Sequence, residues 1–154
     1  MTMTMTIRKA TIWDTADITH MWSAMQTEIA IPYRTADNRE MERFYFGITA
    51  RLQRNDWHIL IAEVNGRPAG FIMGNILMYE YGNSNIIGNC DHLFVKPEYR
   101  GSGIGSKLIE ELNNWVKACG AKIAEFTTVY DEKLIRKWQH RGYIPSQVIY
   151  TKEV

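Results

Sequence analysis

The sequence predicts an α/β (α+β) fold, a mixed and mainly antiparallel sheet of about six to seven strands with helices on both faces. Two observations carry this. Between residues 57 and 95 apolar residues recur with the period of strands, and the run is broken by Asn65-Gly66, a strong short hairpin signal. After residue 100 the period lengthens into one helical stripe and then returns to a short β-rich run, the pattern of a strand–helix–strand crossover. A hairpin meander joined to such a unit gives antiparallel strands that end in a parallel pair.

In chain order, residues 6–12 read as the first strand. Asp14 is placed to cap a helix whose Ile18, Met21, Trp22, Met25 and Ile29 share one face, and Pro32 ends that pattern. Met41, Phe44, Tyr45, Ile48 and Leu52 form a second apolar stripe. Residues 57–64 and 69–79 are the hairpin arms, 81–85 are turn-rich, and 86–95 form the next strand. Ile104, Leu108, Leu112, Trp115, Val116 and Cys119 mark a strong helix stopped by Gly120. Residues 123–129 read as a strand, 131–141 as a helix closed by Gly142, and 143–151 as a last strand. The order is β-α-α-β-β-β-α-β-α-β. No linker or repeat divides the chain, so one domain is expected over residues 1–154, with 1–5 as a flexible leader.

Composition removes several function classes. The 45% apolar and 23% charged content is that of an ordinary globular protein, not a disordered one. A formal net charge of +1 argues against a nucleic-acid partner. Cys90 and Cys119 lack metal-ligand spacing and are too few for a disulfide framework, so neither a metal site nor an oxidising compartment is expected. No apolar run reaches the roughly 20 residues of a membrane span, and the alternating Met/Thr start is no signal peptide. A cytoplasmic location is the expectation.

Chemistry concentrates in Leu93-Phe94-Val95-Lys96-Pro97-Glu98-Tyr99-Arg100-Gly101-Ser102-Gly103-Ile104-Gly105-Ser106. A strand runs into a glycine-rich loop, and the loop opens a long helix. Free N–H groups at a helix start, with no Cβ in the way, form an anion site suited to a pyrophosphate. Other glycine loops fit less well. A P-loop needs Lys then Ser/Thr after its last Gly, and here Ser106-Lys107 is reversed. A dinucleotide fingerprint needs a Gly where Ser106 stands and follows its strand at once, whereas residues 96–100 intervene.

The segment resembles the GCN5-related N-acetyltransferase (GNAT) superfamily. Its central motif Arg/Gln-x-x-Gly-x-Gly/Ala is similar to Arg100, Gly103 and Gly105, and its Leu-x-Val-x-Pro lead-in to Leu93, Val95 and Pro97. Gly142-Tyr143 resembles the family's late Gly-Phe/Tyr, and the element order agrees over nearly the whole chain. The resemblance implies acetyl-CoA as cosubstrate without a metal, and a primary amine, on a small molecule or a protein, as acceptor. It also implies, less directly, a homodimer.

By the same resemblance, Arg100, Gly101, Ser102, Gly103, Ile104, Gly105 and Ser106 would wrap the pyrophosphate. Pantetheine would run between two splayed parallel strands, beside Leu93, Phe94 and Val95, with the amide of Leu93 or Val95 polarising the thioester carbonyl. Asp91 stands where the family often carries its base, with His92 as the rival, and alternation places Asp91 on the face of Leu93 and Val95. The family's usual Asn and Tyr on the last helix fall at Asp131 and Trp138. Tryptophan cannot protonate a thiolate, so water, Tyr130 or Tyr143 is left for that task, and Trp138 is expected to pack against the coenzyme. Glu28 and Tyr33 are expected on the acceptor wall. The basic cluster of Lys133, Arg136, Lys137, His140 and Arg141 reads as a solvated helix face, with attraction of the coenzyme A 3′-phosphate or of a nucleic acid as the other reading. Two alternatives remain: a coenzyme-binding regulatory module without chemistry, and a transferase acting on a macromolecule such as modified nucleic acid.

Overall fold

The computed structural model describes residues 2–29, 31, 36–78 and 86–154. Tyr33, with Pro32 and the turn-rich residues 81–85, lies outside the described residues. Strand β1 (Met5–Lys9) is followed by a short 3₁₀ turn, helix α1 (Thr15–Ile29) and helix α2 (Asn38–Arg51). Strands β2 (Trp57–Val64), β3 (Arg67–Met78) and β4 (Ile86–Val95) come next. Helix α3 (Ile104–Ala118), strand β5 (Ile123–Phe126) and helix α4 (Glu132–His140) complete the order.

The described sheet has five strands in the order β1-β2-β3-β4-β5. The first three pairings are antiparallel and β4–β5 is parallel, as the period change predicts. Asn65 and Gly66 turn the β2–β3 hairpin with φ of 50° and 76°, which is why Asn-Gly stands there.

Alternation sorts side chains onto two cores. Leu60, Ala62, Ile72 and Cys90 face α3, whose Ile104, Leu108, Leu112 and Val116 cover them. Ile59, Ile61, Phe71, Met73 and Phe94 face α1 and α2, against Ile18, Met21, Trp22, Met25 and Ile48. Trp22 and Phe44 stack at 4.2 Å and join the two helices. Helix α3 approaches β4 so closely that a Cβ on Gly88 would lie 2.3 Å from the Val116 methyls.

Two details of register matter for the site. Met73 pairs with His92 but Gly74 pairs with Cys90, so Asp91 is the extra residue of a β-bulge. Lower down, Trp57, Asn75, Asn89 and Glu125 stand opposite one another and form one row across β2, β3, β4 and β5.

The structure departs from expectation in several places, and two strands are shorter than expected, β1 ending at Lys9 and β5 at Phe126. Residues 143–154 form no strand, and Ile144, Val148, Ile149 and Tyr150 are 86%, 58%, 76% and 91% exposed. A strand exists only through pairing, and Pro145 has no N–H to offer a ladder. Thr4 exchanges backbone and side-chain bonds with Asn65, so pairing reaches into the segment expected as a leader. Asp14 is not a simple cap for α1. It turns back to accept from the Thr11 N–H at 2.7 Å and from Arg8 at 2.7 and 2.8 Å.

Candidate active site

The site begins where β5 stops. Phe126 pairs with Cys90, and the Thr127 N–H donates to the Cys90 carbonyl at 2.9 Å. Beyond Cys90, β4 runs on to Val95 without β5 beside it. The Lys96 N–H donates to the Ala69 carbonyl at 2.8 Å, which fixes the phase of the β3–β4 ladder. Phe94, in step with Lys96, therefore bonds to β3, whereas the N–H groups of Leu93 and Val95 point away from it. They face the space that β5 leaves open.

At the end of β4 the chain makes a 3₁₀ turn at Pro97–Tyr99 and enters the glycine loop. Gly101 and Gly103 have φ of 79° and 87°, and a Cβ at either would meet nothing within 4 Å. Their glycine identity thus answers to backbone conformation, not crowding within the chain. Gly103 is the N-cap of α3, and the Lys107 N–H donates to its carbonyl at 3.1 Å. The N–H groups of Ile104, Gly105 and Ser106 precede the first intrahelical bond and carry the positive end of a 15-residue helix. Ser102 closes the loop by donating its hydroxyl to the Tyr99 carbonyl at 2.5 Å. Arg141, beyond α4, donates to Ser106 Oγ at 2.8 Å and brings a cation to the same helix start. Sequence leaves Arg141 in a cluster read as a solvated face or a phosphate contact; the tertiary fold brings it to this helix start.

Arg100 and Glu28, assigned to opposite ends of the reaction by sequence, meet. The Arg100 guanidinium donates to both Glu28 carboxylate oxygens at 2.8 and 2.7 Å, and its Nε donates to the Val95 carbonyl at 2.9 Å. The guanidinium bond holds the Glu28 carboxyl below its ordinary range, with burial opposing. The end of α1 is thus tied to the cofactor-type loop, and Glu28 is not a free carboxylate.

The bulge corrects the face assigned to Asp91. His92 Nδ1 lies 2.5 Å from Asp91 Oδ1, and the His92 ring sits 5.8 Å from Phe44 of α2. Leu93 and Val95 pack instead on the α3 side. The extra residue breaks strict alternation, so Asp91 and His92 act as one pair on the α1/α2 side of the strand. Burial pushes the Asp91 carboxyl up, but the hydrogen bond and charge of His92 outweigh it and the net shift is downward. Arg51 of α2 adds to the same effect. Neighbouring Cys90 is buried with its thiol pushed up, which leaves it a core residue and not a nucleophile.

The last-helix positions do structural work. Asp131 caps α4 by accepting from the Leu134 N–H at 3.0 Å. Trp138 packs on Phe126 at 4.3 Å and edge-on to Tyr143 at 5.1 Å. Of the two tyrosines, Tyr130 is 84% exposed, while the Tyr143 hydroxyl accepts from Asn113 at 2.8 Å. A cavity of about 480 Å³ lies away from this cleft, between the C-terminal half of α3 and the start of β5.

Comparison with known proteins agrees with this geometry. The model of the acetyltransferase (GNAT) family matches residues 21–143. An uncharacterized N-acetyltransferase of Archaeoglobus fulgidus is 32% identical over 74 residues, 48% of this chain and 50% of that protein. The chain spans about half the length of this relative. An aminoalkylphosphonate N-acetyltransferase of Salmonella typhimurium is 28% identical over 114 residues, 73% of each chain. A solved structure of a predicted acetyltransferase with acetyl-CoA, from Clostridium acetobutylicum, has a TM-score of 0.82 at 15% identity. It covers 97% of this chain and 96% of that one, which shows a shared fold.

Proposed function

The chain belongs to the acetyltransferase (GNAT) family, and from that premise we propose that it moves the acetyl group of acetyl-CoA to a primary amine by direct attack in a ternary complex. One observation carries the reading. The gap between β4 and β5 and the glycine loop opening α3 lie at the same end of the sheet, joined by only residues 96–103. The open space at Gly101 and Gly103 fits a diphosphate, and the outward N–H groups of Leu93 and Val95 fit an amide-containing arm.

Acetyl-CoA supplies the activated acetyl group. The N–H groups of Ile104, Gly105 and Ser106, with Arg141 behind Ser106, hold the pyrophosphate. A backbone N–H at Leu93 or Val95 donates to the thioester oxygen as negative charge develops there. The Asp91–His92 pair, on the α1/α2 side of the same strand, takes the proton of the attacking amine, directly or through water; as the C–N bond forms the C–S bond breaks, and the departing coenzyme A thiolate takes its proton from water. Arg100 acts by position. Bonded to Val95 and Glu28, it fixes the strand end against α1 and leaves phosphate binding to the backbone.

A second reading, a coenzyme-binding module without chemistry, is favoured by Trp138, whose ring is engaged with Phe126 and Tyr143 and offers no acid. One experiment separates the two. Wild type and a Gly103→Trp variant are titrated calorimetrically with acetyl-CoA, and free thiol is then followed across an amine panel. Micromolar binding, lost in the folded variant, together with amine-dependent thiol release is the expected result. Binding without release from any amine points to the module. No binding by folded wild type overturns both.

A further inference from the structure

We propose that Glu28 is a positioning residue for the transfer: through Arg100 it locks helix α1 to the end of β4, so that filling the glycine loop also fixes the α1/α2 side, where the amine attacks. This deepens the transferase reading above and rests on it.

Arg100 is expected around a pyrophosphate, yet its guanidinium carbon sits 5.6 Å over the Phe94 ring, which is buried beneath α1 and α2. Three of its donors are already spent inside the chain, one on the Val95 carbonyl and two on Glu28. Exposed ion pairs add little when they are single bonds between mobile side chains, and these partners are 43% and 50% exposed. The geometry sets this pair apart. Two parallel bonds match the guanidinium fork to the carboxylate, and the third bond, from Nε, pins the same rigid plane to the strand. Glu28 also stands one residue from the end of α1, where the helix dipole favours a cation such as Arg100.

Each end of this link leads to a reacting group. Val95 closes the stretch of β4 that β5 no longer borders, and the N–H groups of Leu93 and Val95 there are the donors for the thioester oxygen. Such donors work only when held in place before the reaction, so the anchor of their strand end bears on the rate. At the other end, α1 carries Trp22, which stacks on Phe44 at 4.2 Å, and Phe44 lies 5.8 Å from the His92 ring. His92 in turn holds Asp91, the base of the reading above. Loop, arginine, helix and base thus form one packed series with a rigid helix at its middle, although Glu28 and Arg100 are 72 residues apart in sequence. A ligand that orders the loop therefore orders the base side as well, and by linkage the acceptor strengthens acetyl-CoA binding by the same factor.

The test uses wild type and Glu28→Gln, which removes the charge at constant size on an exposed side chain. Backbone amide NMR follows residues 101–106 and 23–29 as acetyl-CoA is added, and kcat is measured with the fastest amine of the panel. In wild type both sets of resonances should move together. In Glu28→Gln the loop set should still move, with acetyl-CoA Kd little changed. The 23–29 set should then stay in place, and kcat should fall about fivefold or more, the low end of a typical coupling. A merely structural pair would lower stability and leave the ligand-induced shifts as they are. Wild type whose loop set moves alone overturns the role, as does a variant that keeps either the 23–29 response or the wild-type kcat. So does acetyl-CoA binding with turnover of no amine. Failure of acetyl-CoA to move the loop set in folded wild type overturns the transferase reading itself, and is read before any variant is compared.

Discussion

Asp91 shows how much one inserted residue changes a site. Without the bulge its carboxylate would join the α3 side with Leu93; with it, the carboxylate meets His92. Because His92 draws the carboxyl below its ordinary range, the group is charged at neutral pH and can accept a proton. Asp91→Asn should lower kcat by about 10²-fold or more, with little change in acetyl-CoA Kd. Asp91 should add an acid-side limb of its own, below the ordinary carboxylate range, to the fall in rate that protonation of the acceptor amine produces at higher pH. A pH–rate profile of both proteins checks this, and a variant running at more than half the wild-type rate would remove Asp91 from the chemistry. The loop residues were legible in sequence because a glycine pattern is local. The Arg100–Glu28 bond was not, since 72 residues separate the partners. Nor was the bulge, which depends on register between two strands and leaves no mark on either one alone.

Among elements, the placement of α3 on the sheet was the most legible. Its stripe from Ile104 to Val116 is buried as the period requires. How closely it sits was not legible, because that is set by the absent side chain of Gly88. Gly88→Ala forces a Cβ to within 2.3 Å of the Val116 methyls and should cost about 3 kcal/mol, read from urea unfolding. Val116→Ala added to that variant should return part of the loss. Failure to return any would mean that the strain lies in β4 and not in the helix contact. The segment after Tyr143 marks the opposite case. Its apolar residues carry the pattern of a strand, yet the described chain there is not one, because a ladder depends on register with another segment and not on the pattern alone.

For the molecule as a whole, three distant pieces are clamped by one arginine. Arg8 on β1 bonds Asp14 at the entry to α1 and Glu63 on β2 at 2.8 Å. The Arg8 bond draws the buried Asp14 carboxyl down to about 2, against the opposing effect of burial. A carboxyl depressed in the folded state stabilises the fold above its unfolded value near 3.9, and this is lost as pH falls through the folded value. Asp14→Asn should therefore be about 2 kcal/mol less stable at pH 7, and the gap should close between about pH 4 and pH 2. Urea midpoints across that range test it; a gap independent of pH would assign the loss to packing instead. The brevity of β5 has a consequence for the order in which the molecule comes together and loosens. Its four residues join the sheet only after the chain has crossed α3, whereas β2 and β3 close across a two-residue turn. The strand bordering the cleft should then close later than the hairpin and admit solvent deuterium sooner, through brief local openings that spare the hairpin. An occupant lying along β4 and β5 would slow that exchange, so the cleft would report its own filling through the backbone protons of its shortest strand.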